Sequence, residues 1–120
     1  MNRDTRNGNR GPTWSRWTSF PDPRESQYLR APIGSGVYEI RRRDTREFVL
    51  VGAGKCVAVR MGSLLPPPLG QGTRNNTEKR RYLLKHLGEI QYRCYPCKTR
   101  EQAATMERKK QASTEYLFPT

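Results

Sequence analysis

Apolar residues along this chain follow two periods, and the switches between them mark its elements. From Gly36 to Arg42 the pattern alternates in part, with Val37 and Glu39 set against Tyr38 and Ile40. Glu47 to Val51 is a continuous apolar run. The polar stretch Arg42-Arg43-Asp44-Thr45-Arg46 lies between them, so the pair predicts an antiparallel hairpin. The unbroken run predicts that the second strand is the more buried and lies centrally. Gly52-Ala53-Gly54 ends that strand. Val57, Met61, Leu64 and Leu65 then recur at helical spacing until three prolines at 66–68 stop the helix. A charged helix from about Thr77 to Leu87 turns Tyr82, Leu83, Leu84 and Leu87 inward. Ile90, Tyr92 and Cys94 alternate with Gln91, Arg93 and Tyr95 as a third strand. Thr99, with Gln102 three residues on, is a capping box for a last helix from about Arg100 to Ser113, whose apolar stripe is Ala103, Ala104 and Met106.

The order is β-β-α-α-β-α. It predicts an α+β domain over residues 31–120, a small three-stranded antiparallel sheet flanked by helices. Residues 1–30 are rich in Arg, Gly, Pro and Ser and predict a flexible basic arm. Trp14, Trp17 and Phe20 recur in it at a spacing of three, one side of a helical turn. Such aromatics stack on nucleobases or cover an open face of the core, and the covering flap is the preferred reading.

Composition narrows the class. Only 33% of the 120 residues are hydrophobic. Setting aside the arm and the Pro- and Gly-rich stretch 66–77 leaves roughly 75 residues for a core, a marginal number. The formal charge is +12, from 23 basic and 11 acidic residues. Most of the basic residues are Arg, whose planar fork suits phosphate. A surface of this sign attracts nucleic acid through counterion release. No apolar run approaches the roughly 20 residues that span a bilayer, and no signal peptide is evident, so a cytoplasmic protein is expected.

The cysteines, Cys56, Cys94 and Cys97, are odd in number and predict no disulfide framework. Cys94-Tyr95-Pro96-Cys97, with Cys56 and His86, nominally offers a zinc set. The two cysteines of the pair face opposite ways in a strand, however, and no second pair follows, so zinc is disfavoured.

The candidate chemistry is spread along the chain. Gly36-Val37-Tyr38 opens the first strand and Leu50-Val51-Gly52 closes the second. Arg60 follows eight residues after Gly52, and Glu107 sits late in the last helix. Each residue has a plainer explanation: a half-buried strand tyrosine, a surface arginine, a salt-bridged glutamate ahead of Arg108, Lys109 and Lys110. Against the last stand Ala103 and Ala104, four and three residues before Glu107, which suggest a helix face pressed close to the sheet. A carboxylate on such a face needs a partner such as a metal.

In order and spacing this set resembles the GIY-YIG nuclease family, over about residues 33–120. The resemblance implies a divalent-metal-dependent DNA endonuclease that hydrolyses phosphodiester bonds, with activity weakened by two departures from the pattern. Glu107 is expected to bind Mg2+ or Mn2+, Arg60 to hold developing negative charge, and Tyr38 to activate or position water. A phenol ordinarily titrates near ~10, so a base role asks for neighbouring positive charge. Leu50 stands where the family has its second tyrosine, and Tyr82, Lys55 or His86 are the candidates to stand in. The family's late asparagine is absent from Leu117-Phe118-Pro119-Thr120, leaving Gln111 or Thr120 for a polar role there. These departures also fit a basic GIY-YIG-like module that grips nucleic acid without cutting, and a ribosome-associated basic protein is a third reading. Arg74, Asn75, Lys79, Arg80 and Arg81 are expected to contact phosphates of DNA, or of RNA. With no target-choosing domain in view, a homodimer or a partner protein is expected to select the target.

Overall fold

The computed structural model describes residues 13–21, 31, 33–62 and 77–119, with the side chains of Val59, Arg60 and Thr77 outside that description. Four strands form one antiparallel sheet: β1 (Thr18–Ser19), β2 (Gly36–Arg42), β3 (Phe48–Gly54) and β4 (Ile90–Pro96). Helices α1 (Val57–Gly62) and α2 (Thr77–Lys85) and a 3-10 turn (Leu87–Glu89) come between β3 and β4, and α3 (Arg100–Ser113) follows β4.

The sheet order is β1-β4-β2-β3. This corrects two expectations. The sheet has four strands, because Thr18 and Ser19 pair with Tyr92 and Gln91 along the free edge of β4. And the inner strands are β4 and β2, while the continuous apolar run of β3 lies at an edge. Two local causes explain that run. Helices cover both faces of β3, so both sets of its side chains are buried. A β-bulge also shifts the register, with Ile40 opposite Leu50 but Arg41 opposite Phe48, which brings Val49 and Leu50 into the same cluster. The hairpin turn is closed by Arg46 N–H donating to the Arg42 carbonyl, with Arg46 in the left-handed region at a φ of 64°.

Strand alternation sorts the interior into two layers. On one face Tyr38, Ile40, Leu50, Tyr92 and Cys94 pack with Val57 and Met61 of α1 and Leu83 of α2. On the other face Val37 and Val51 pack with Ala103 of α3, joined by Trp14, Tyr95, Met106 and Tyr116. Leu84 is an exception to the expected inward stripe of α2 and is 38% exposed.

The aromatics at the N-terminal end flank the short strand β1 and form no helical turn. Phe20 is buried on the first face, edge-on to Tyr92 at 5.8 Å. Trp14 and Trp17 lie over the second face against Tyr95 and Phe48. They are the covering flap the spacing suggested, placed beside the two-residue edge strand β1. The α3 N-terminus is capped as expected, with Gln102 N–H donating to Thr99 Oγ1 at 3.1 Å. The glutamine reaches back one residue further than a capping box requires, accepting from the Lys98 amide at 2.9 Å.

Candidate active site

Tyr38 stands opposite Gly52 in the β2–β3 ladder. A methyl group added at Gly52 would collide with the Cζ and hydroxyl of Tyr38. The phenol ring therefore lies across Gly52, and because β3 is the outer strand, the ring is directed toward that edge of the sheet. Gly36 is small for a related reason: a side chain there would meet the Tyr95 carbonyl at 2.6 Å and Val57 Cγ2 at 2.8 Å, blocking the approach of α1. Leu50, at the position of the family's second tyrosine, is fully buried in the first layer and brings no polar group. Lys55 is exposed on the link from β3 to α1, at the same end as Gly52, and α1 carries Arg60.

Glu107 belongs to α3, which packs on the opposite face of β3 and β2. Helix α3 crosses β3 and β2 with Ala103 wholly buried beneath it. At ~100° per residue, Glu107 lies roughly 40° to one side of Ala103 and Met106 roughly 60° to the other. The Met106 flank faces β4, where it meets Tyr95 and Cys97. The Glu107 flank carries Gln111, which lines a groove with Glu47 and Phe48 at the start of β3. Glu107 is half-buried on this β3-facing flank.

The suggested stand-ins Tyr82 and His86 lie elsewhere. Their rings pack 4.5 Å apart. Arg42 donates to the Tyr82 hydroxyl at 3.2 Å, forks onto Asp44 at 2.7 and 3.0 Å, and pairs with Glu89 at 3.0 Å. His86 Nδ1 is 3.2 Å from the same Glu89 oxygen. This network sits at the hairpin end of β2, four residues or about 13 Å along the strand from Tyr38. Arg42 holds the Asp44 carboxyl below its usual range. Of the expected phosphate contacts, Arg74 and Asn75 lie outside the described residues. Lys79 and Arg80 are half-buried on α2, and Arg81 is exposed and 3.5 Å from Glu78.

A second charged constellation, centred on a buried acid, was not anticipated. Glu39, on the α3 face of β2, is completely buried. Arg93 Nε and Nη2 reach its Oε1 at 2.9 and 2.7 Å. Lys110 Nζ is 3.2 Å from Oε2, and the Tyr116 hydroxyl donates to the same oxygen at 2.6 Å. Burial, reinforced by the carboxylate, pushes the Tyr116 phenol well up from its ordinary value. The Arg93 guanidinium lies between Trp14 and Trp17, at 4.3 and 4.6 Å from the ring centres, and Arg41 covers Trp17 at 4.1 Å. With three partners on its two oxygens, Glu39 is a structural anchor under a tryptophan clasp. The signal in the sequence was an acid at an inward-alternating position, Val37-Tyr38-Glu39-Ile40, which pattern reading takes for a half-exposed strand.

No family model, curated protein or solved structure matches this chain.

Proposed function

We propose that this domain is a divalent-metal-dependent endonuclease of the GIY-YIG type, with its site on the β3 edge. The observation that carries the reading is convergence on that edge. The ring of Tyr38 crosses Gly52 toward it from one face, the Glu107 flank of α3 borders it from the other, and Lys55 and α1, the helix of Arg60, follow directly from β3. The charge adds to this support. Glu39, Asp44 and Glu89 are engaged by Arg93, Lys110 and Arg42, while Arg43, Arg46, Lys85, Arg100, Arg108 and Lys109 are exposed. The outward field is therefore positive, as a polyanion substrate requires.

The donor set suits a hard cation. Among the described residues no three His, Cys, Asp or Glu side chains form a cage. A single half-buried carboxylate at an open edge is what Mg2+ or Mn2+ uses when phosphate oxygens and water complete its shell. Glu107 would hold the ion, which supplies polarisation of the scissile phosphate. Arg60 lies within three residues of Val57, on the helix that begins beside Tyr38, and neutralises charge on the phosphate. Tyr38 positions or deprotonates the attacking water, with Lys55 and Arg60 as the neighbouring cations that favour a phenolate.

Binding without cutting is the alternative, and the buried Leu50 favours it, since that position brings no second phenol. A homodimer or a partner protein would select the target in either case. Incubating the purified protein with labelled DNA, in Mn2+ and in chelator, separates the two. The nuclease reading predicts Mn2+-dependent products from the wild type and none from Glu107→Ala, with equal gel-shift affinity. Intact DNA bound equally by both proteins in Mn2+ would establish the binding module instead.

A further inference from the structure

A groove of about 560 Å3 runs along the other flank of α3, facing β4 and away from Glu107. Its size falls among ligand sites, which span roughly 300–1,000 Å3. The floor is made by Tyr95, Cys97 and Met106, all half-buried and packed on the second layer. The rim carries the exposed Lys98, Lys109 and Glu101. Tyr95 is firmly held, since Trp14 packs on it at 5.3 Å and Arg93 stacks on Trp14 in turn. A fixed aromatic ring beside a thioether is a stacking platform for a flat, polarisable ring. Two ammonium groups above it attract phosphates, and the Glu101 carboxylate can accept from a base amino group. An acidic peptide would satisfy the lysines and leave the platform unused. A neutral aromatic ligand would do the reverse.

We propose that this groove holds one unstacked nucleobase of a single-stranded nucleic acid, with Lys98 and Lys109 on its flanking phosphates. The proposal rests on the nucleic-acid reading above and adds a substrate class to it. A strand seated here and crossing α3, a width of ~10 Å, arrives at the β3 edge. The groove then fixes which phosphate is presented to Glu107.

Cys97 on the groove floor is the reporter. In full-length Cys56→Ser protein it is the thiol open to a maleimide, because Cys94 is buried while Cys97 is half-buried. A single-stranded oligonucleotide at saturation, followed by anisotropy, should slow Cys97 alkylation several-fold. The matching blunt duplex and a free mononucleotide should slow it far less. Tyr95→Ala should weaken single-strand binding about tenfold, the loss expected for one base–aromatic stack. Since Tyr95 also supports the second layer, Lys98→Glu and Lys109→Glu serve as surface variants. Each should lower affinity more than Arg46→Asp, a charge reversal at the hairpin turn. Bound oligonucleotide with unprotected Cys97, or equal losses at all three charges, overturns the groove and leaves the nucleic-acid reading standing. Equal protection by the mononucleotide also overturns it, in favour of a small-molecule site. No binding of any oligonucleotide refutes the nucleic-acid reading itself.

Discussion

Gly52 is small because Tyr38 lies over it, and a single methyl group tests that relation. Gly52→Ala should destabilise the domain by about 1–3 kcal/mol, the usual cost of overpacking, as read from urea unfolding. Tyr38→Ala in the same chain should recover part of that loss, because the two changes share one contact. Additive losses would mean that the ring does not occupy the space above Gly52. Glu39 makes a harsher case. Glu39→Gln leaves Arg93 and Lys110 gathered around a neutral amide, and removing one partner of a buried pair costs about 3–5 kcal/mol. A change within experimental error would show that the cluster is not desolvated. Asp44 gives a pH signature. Its folded pKa is depressed by Arg42, so its contribution is complete above the ordinary value of 3.8 and fades as pH falls through and below it. Asp44→Asn should therefore flatten the acid limb of the stability curve and leave the alkaline limb unchanged.

At the scale of elements, local signals served where one layer decided the outcome. β4 reads cleanly as Ile90, Tyr92 and Cys94 against Gln91, Arg93 and Tyr95, because one face meets an apolar core and the other a polar layer. Thr99 and Gln102 mark the start of α3 because capping is a contact between near neighbours. Strand order was not legible. The apolar run of β3 reflects helices on both faces and a bulge, and neither leaves a periodic trace. β1 was missed because its pairing is only two residues long and its tryptophans suggested a helical turn. For the candidate site, spacing alone proposes Tyr38 and Glu107, while the gathering of Tyr82 and His86 around Arg42, between residues 40 or more apart in sequence, leaves no local trace. The clasp itself can be opened. Trp14→Ala with Trp17→Ala should uncover Arg93 and free the edge of β4, whose Cys94 amide is held by Ser15 Oγ at 2.9 Å. Amide exchange at Cys94 should accelerate strongly while amides joining β2 to β3 change little. Uniform acceleration across the sheet would mean that β1 is part of the global folding unit rather than a local cover.

The whole molecule is a sheet with an apolar layer on one face and a charge-anchored layer on the other, and the proposed chemistry lies where the two layers meet, at the β3 edge. Glu39, Asp44, Glu78 and Glu89 are paired with cations, and the formal charge is still +12, so affinity for nucleic acid should fall steeply with salt. That dependence tests binding and says nothing of cutting. The joint placement of Tyr38 and Glu107 is the central claim, and anomalous diffraction from crystals of the full chain soaked in Mn2+ addresses it most directly. A manganese peak on the Glu107 carboxylate, on the β3 side of α3 and within one bridging water of the Tyr38 hydroxyl, is the predicted result. Manganese bound at other carboxylates, with Glu107 bare and the sheet standing between it and Tyr38, would contradict it.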